Sequence, residues 1–313
     1  MVAMKVAGLV FSPIIAVLTG LLLTGASRKM VARVEWRYGP PLLQPFIDMV
    51  KLFFQRAPSH GEVFDYGLVI SLSGSIVLLL FLPIGHLCPL GGGGGLLVII
   101  YLMLIPPLGI ATSGGEGANP YISIGVSRKL MLGLGYEVTL ILVLLSVMSE
   151  YNTISILKVV QAQSESGWSL FSWPLVIPGI AYLLIMPAIL GVKPFDVASA
   201  PQEISSGSHA EYGGKYLAFV TVGGGLSEFI GVALFVNLFL GGPSLPGAFT
   251  LPAGALGVFL GVILFLVKVA FVFSLNVMVS ALFPRLRVEG AVKYLWGWPA
   301  LIGLIGTIVV WAL

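Results

Sequence analysis

Long stretches of this chain contain no Asp, Glu, Lys or Arg, among them residues 6–27, 66–115, 166–192 and 294–313. A helix needs about 20 mainly apolar residues to cross the ~30 Å hydrocarbon layer of a bilayer. Only 9% of the 313 residues are charged and 58% are hydrophobic, whereas a soluble domain carries about 25% charged residues. A water-facing surface cannot be built from so few charges. The expected fold is an all-α polytopic membrane protein, with residues 1–313 forming a single integral membrane domain. Closed β-barrels would need repeated alternating segments of about ten residues, and the sequence shows continuous apolar runs instead.

Counting those runs predicts about eight transmembrane helices, near 6–27, 66–87, 96–112, 129–149, 174–192, 216–240, 253–282 and 295–313. Residues 1–27 have no small-residue cleavage signature, and their apolar run is too long for a signal peptide. They are expected to stay as a first helix. Thirteen of the sixteen Lys and Arg residues fall after spans one, three, five and seven, and only Lys5, Lys158 and Lys268 lie elsewhere. The positive-inside rule then puts both termini outside and these four basic loops in the cytoplasm. The expected home is a cell membrane, crossed many times. A net charge of +3, so dispersed, leaves no footprint for nucleic acid. The lone Cys88 excludes a disulfide framework and any cysteine-held iron–sulfur cluster within the chain.

The outer connections say little. Gly91 to Gly95 reads as a flexible turn and lacks the Gly-Lys-Ser/Thr ending of a phosphate-binding loop. Residues 161–173 read as an interfacial connector with Trp168 and Trp173 at headgroup depth, and residues 241–252 as a glycine- and proline-rich turn.

The basic side is richer. Its first loop, 28–65, contains an amphipathic helix over about 42–55. There Leu43, Phe46, Ile47, Val50, Phe53 and Phe54 share one face, opposite Gln44, Asp48, Lys51 and Gln55. Such a helix lies in the membrane surface, either as an anchor or as a docking ledge whose polar stripe faces a partner. The loop at 193–215 holds Asp196, Glu203, Glu211 and His209 among Phe195, Tyr212 and Tyr216. Glu137, Glu228 and Lys268 fall inside spans, where a charge costs at least ~2.5 kcal/mol on insertion scales. They read either as structural hydrogen-bonded groups or as part of an ion path, which Tyr136 and Asn276 could extend. His60, His86 and His209 are scattered and suggest no metal centre.

Four separated motifs resemble the membrane heel subunit shared by respiratory complex I and the energy-converting membrane-bound nickel–iron hydrogenases, formate hydrogenlyase included. They are residues 37–52 (Arg37-Tyr38-Gly39-Pro40-Pro41-Leu42-Leu43-Gln44-Pro45-Phe46 onward), Gly125-Val126-Ser127-Arg128 with Tyr136-Glu137, Pro194-Phe195-Asp196 through Glu203 to Glu211-Tyr212, and Phe283-Pro284-Arg285-Leu286-Arg287. The resemblance implies a coupling subunit that ties a redox arm to ion-pumping membrane subunits, moving H⁺ or Na⁺. It assigns Glu137, Glu228, Asp196, Glu203 and Glu211 to an ion pathway or coupling path, to which Lys268 is added from its place inside a span. It assigns Arg37, Gln44, Asp48, Lys51, Arg128, Arg285 and Arg287 to a partner interface. The iron–sulfur clusters, and a nickel–iron site in the hydrogenase branch, would belong to an iron–sulfur small subunit and a large catalytic subunit. Antiporter-like subunits would flank the chain in the bilayer. No cofactor ligand or catalytic residue is implied here.

Departures from the pattern favour the hydrogenase-like branch. Only Pro41 stands between Gly39-Pro40 and Leu42-Leu43-Gln44-Pro45, Ser199 and Pro201 replace acids of the third loop, and Ser280 stands where complex I versions carry arginine. The alternatives are the quinone-site subunit of a complex I type oxidoreductase, an autonomous secondary transporter, or an enzyme acting on lipid. The transporter would show internal repeats, and the lipid enzyme clustered metal ligands.

Overall fold

The computed structural model describes residues 2–91, 95–116, 119–245 and 254–312. Among the described residues, seven helices are long and apolar enough to cross a bilayer: α1 (Val2–Val34), α3 (Glu62–Phe81), α4 (Leu96–Gly115), α5 (Pro120–Glu150), α9 (Gly214–Phe239), α10 (Ala255–Leu282), and the pair α11 (Val288–Trp296) and α12 (Trp298–Ala312) taken together. The eighth expected span is α7 (Val176–Leu190), with 15 residues. At 1.5 Å per residue that is about 22 Å, short of the hydrocarbon thickness. Two shorter helices, α2 (Gln44–Phe54) and α6 (Ile156–Ser166), lie between spans, and α8 (Pro201–Ile204) is a single turn in the third basic loop.

Several expected boundaries move. The second basic loop does not reach Lys129, because α5 starts at Pro120, where Asn119 caps it by accepting from Tyr121 N at 3.0 Å. Proline at the first helical position with an Asx cap before it starts a helix more strongly than an Arg-Lys pair ends one. Arg128 and Lys129 therefore ride on a helix. Likewise α1 runs on to Val34, so Arg28, Lys29 and Arg33 are helical, and the connector at 161–173 is largely α6 and a 3₁₀ turn at Ser169–Phe171. The middle of the glycine run (92–94) and most of the Gly-Pro turn (246–252) lie outside the described residues.

The exterior is apolar, as a lipid-facing surface should be. On α12, Leu301, Leu304, Ile305, Ile308 and Trp311 are all exposed. The interior is packed around α9, whose residues 229–239 are all buried, with Phe235 and Phe239 against Tyr182 of α7. Lipid is as apolar as leucine, so helix association in a bilayer depends on close packing rather than on hydrophobic exclusion. The crossing of α1 and α9 shows this: a Cβ on Gly20 would sit 2.5 Å from the Gly225 carbonyl oxygen.

Candidate functional site

A cavity of about 230 Å³ opens inside the bundle between α3, α4, α5, α7, α9 and the third basic loop. Its walls are mostly apolar, but Lys129, Tyr136, Asp196, Ser199, His209, Ser227 and Glu228 line it. Helix phase decides which residues reach it. On α5, Lys129, Leu132 and Tyr136 recur at i, i+3 and i+7; on α9, Val220, Gly223, Gly224, Ser227 and Glu228 do the same. Gly224 has no atom within 4 Å of where a Cβ would stand, so missing side chains leave room there.

Glu228 is the deepest acid, about 21 Å along α9 from its basic-face end at 1.5 Å per residue. The Thr24 hydroxyl on α1 donates to its Oε2 at 3.1 Å. Thr24 reaches it because the Gly20–Gly225 crossing, one turn earlier on α1, brings the two helices into contact. At the mouth, Asp196 accepts from Arg285 Nη2 at 2.7 Å and from the Ser199 hydroxyl. Leu286 N donates to the Pro194 carbonyl at 2.9 Å, which fastens the last basic loop to the third.

Asp196 and Gly191 also line a second cavity, of about 630 Å³, which opens on the basic face between Arg28, Arg37, Pro40 and Lys193. Asp196 thus stands at the junction of an inner chamber and a basic cleft. Gly191 makes the junction possible by ending α7 in the left-handed conformation, at φ +66°. His209 reaches the chamber from the 3₁₀ turn Gly207–His209. Burial first, and then the Lys129 ammonium, push its pKa down to about 4 against the opposing effect of Asp196. The ring is neutral at pH 7.

The other expected residues distribute as follows. Glu203 is exposed and pairs with Arg128 at 2.9 Å. Glu211 lies 4.0 Å from His60 Nε2, beside the tilted contact of Phe64 with Tyr212 and its edge-to-face contact with Tyr216. Tyr212 donates to Ser113 Oγ at 3.0 Å, pinning this end of the loop to α4. Arg37 pairs with Glu35 and lines the basic cleft. On α2, Gln44 donates to Asp48 at 2.8 Å, and Asp48 pairs with Arg28 of α1 at 3.6 Å. Half of the polar stripe expected to face a partner is therefore turned onto the bundle. Lys51 and Arg287 are exposed, as are the apolar residues Leu43, Ile47, Val50 and Phe54. Glu137 is half-buried and does not line the chamber; its neighbours Leu134 and Val138 face outward, while Tyr136 beside it faces in.

Lys268 is apart from the acids. Its ammonium donates to the carbonyls of Leu240, Gly242 and Ser244 at 2.6, 2.9 and 2.5 Å and sits 4.6 Å from the Trp168 ring centre. These groups belong to the opposite face, where Gln163 and Asn237 also tie the last turn of α9 to its neighbours. Two chamber residues carry no weight in the sequence, where Lys129 reads as loop charge and His209 as incidental. The heptad spacing of Lys129 to Tyr136 is the one signal that places Lys129 inside. Among the described residues no group of three or more His, Cys, Asp or Glu could hold a metal ion.

The family model described as NADH dehydrogenase matches residues 6–311. Hydrogenase-4 component C of Escherichia coli (strain K12) is 33% identical over 224 residues, covering 70% of each chain. A subunit of the NADH-quinone oxidoreductase of Protochlamydia amoebophila (strain UWE25) is 28% identical over 305 residues, covering 90% of this chain and 87% of its own. A chain in the structure of the membrane-bound sulfane sulfur reductase, an archaeal respiratory membrane complex, superposes with a TM-score of 0.91 at 34% identity. That match covers 98% of this chain and 99% of the other.

Proposed function

Because the chain belongs to the NADH dehydrogenase family, we propose that it is the membrane-anchoring and coupling subunit of a multi-subunit, ion-translocating redox complex. Electron transfer takes place in partner subunits docked on the basic, cytoplasmic face. This chain links it to movement of H⁺ or Na⁺. The observation that carries the reading is the junction at Asp196, which connects a cleft lined by Arg28, Arg37 and Lys193 to a chamber ending at Glu228.

A charge change in the cleft acts on Asp196 through Arg285, because a pair held at 2.7 Å responds to any third charge brought close. Asp196 and neutral His209 relay the change into the chamber, and Glu228, hydrogen-bonded to Thr24, is its end point. The chamber's lateral side is Tyr136, next to Glu137 on an edge of exposed apolar residues. An antiporter-like membrane subunit covering that edge would receive the ion. Lys268, bonded to three carbonyls, holds the opposite face closed and is not a station on this route. Arg128, Glu203, Glu211, Lys51, Asp48, Gln44 and Arg287 frame the docking face.

Likeness to hydrogenase-4 component C and to the sulfane sulfur reductase chain supports the hydrogenase-like, non-quinone branch. The short Gly39-Pro40-Pro41 link and Ser199, Pro201 and Ser280 support it too. The test is affinity purification of the tagged chain from its native membrane in mild detergent. Recovery with iron–sulfur subunits and antiporter-like membrane subunits is expected. Recovery alone, with ion transport by the single chain in proteoliposomes, would contradict the reading.

A further inference from the structure

A third cavity, of about 320 Å³, indents the side of the bundle where α1 and α10 end on the basic face. Met30, Val31, Val34, Leu42, Val277 and Met278 form its walls, which present only apolar surface. The stems of Lys29 and Arg33 line it as well. These two lie one turn apart on α1 and so share a face. Long basic side chains in this position keep their stems on apolar surface and their charged ends toward water.

Their charges are unspent. Arg28, Arg37, Arg128 and Arg285 each have a carboxylate partner, whereas among the described residues Lys29 and Arg33 have none within 4.0 Å. Arg33 is held over the Tyr38 ring, 5.2 Å from its centre. Just beyond the crevice Trp36 and Tyr38 are almost fully exposed, at 98% and 88%. Exposed Trp and Tyr in a membrane protein mark headgroup depth, so the crevice lies immediately on the hydrocarbon side of that level. Val34, Leu42 and Met278 at its rim are exposed too, which makes it continuous with the lipid-facing surface.

We propose that this crevice binds an anionic phospholipid of the basic-face leaflet. Its phosphate sits between Lys29 and Arg33, and one acyl chain fills the apolar groove against Val277 and Met278. Charge complementarity selects the occupant: two unpaired cations stand over a groove with no polar wall. Neither basic residue takes part in the route through Asp196 and Glu228, so this site stands independently of that reading.

The experiment uses the purified full chain in phosphatidylcholine nanodiscs containing a few per cent spin-labelled phosphatidylglycerol, with spin-labelled phosphatidylcholine as reference. The wild type should hold one motionally restricted phosphatidylglycerol in clear preference to phosphatidylcholine. Lys29→Gln with Arg33→Gln should weaken that association roughly 30-fold, as expected for two cations near the headgroups. Lys215→Gln with Lys293→Gln, which removes two exposed charges of the same face elsewhere, should leave it intact. Equal retention of the two lipids by the wild type would overturn the proposal even if the double variant does not fold. Equal weakening by the control pair, or an unaltered Lys29/Arg33 variant, would overturn it as well.

Discussion

Replacing Asp196 by Asn tests the latch between the third and last basic loops. Asn keeps the shape but only one acceptor oxygen: with that oxygen turned to Arg285 Nη2, the amide NH₂ faces the Ser199 hydroxyl, which must rotate to accept, and the charge is lost. The two side chains are only 18% and 23% exposed, and Arg285 Nε is buried without a partner. Removing one member of a deeply buried ion pair costs ~3–5 kcal/mol. Exposure of about a fifth admits water and reduces that figure, so the expected loss is ~2 kcal/mol. Arg285→Gln should cost a similar amount. The double variant should cost clearly less than the sum, with a coupling of ~1.5 kcal/mol. Unfolding of the purified full chain in detergent by graded denaturant measures all three. A coupling below ~0.5 kcal/mol would mean that the two residues act independently, and the latch would have to be abandoned.

Two further outcomes follow from the chamber and its supports. Gly20→Val should push α1 off α9 and break the Thr24–Glu228 bond, lowering stability by ~1–3 kcal/mol. Gly224→Ala, which meets open space, should be nearly neutral by the same unfolding measurement, and similar losses for both would refute the packing account. His209, held to about 4 against an ordinary 6.5, binds fewer protons folded than unfolded between those values. Stability should therefore be fully present above pH 6.5 and fall by up to ~3 kcal/mol as pH drops toward 4. His209→Gln should flatten that part of the pH profile, and an unchanged slope would show that the ring is not buried in the neutral form.

Membrane class, near span count and the basic face were legible because bilayer insertion depends on long uncharged runs, which a one-dimensional reading captures. Glu228 was legible as an acid in a costly place and Asp196 as an acid of the third basic loop, and the structure puts both on one cavity. The phase of α5 was not. Reading Arg128-Lys129 as a loop hides the stripe that carries Lys129 and Tyr136 inward, although Asn119-Pro120 already marks the helix start. Lys268 shows a different limit. Its partners are backbone carbonyls of a turn, which leave no trace in side-chain chemistry, so the sequence places this ammonium in a span without revealing what it bonds to. Asp48 is hidden in a different way, because its partner Arg28 lies on another helix, which the apolar pattern ends at residue 27 and which runs on to Val34.

The central claim is that the acid at the end of the chamber exchanges charge with the redox arm. Glu228→Gln in the intact complex tests it, with ion uptake per electron transferred measured in proteoliposomes alongside the electron-transfer rate of the detached reaction. Gln preserves volume and can still accept from Thr24, so assembly and stability should stay within about 1 kcal/mol of the wild type. Ion uptake should fall by roughly 10²-fold or more, as when a proton-exchanging group is lost from a relay. Uptake at the wild-type stoichiometry in this variant would contradict the account and leave Glu228 a structural partner of Thr24.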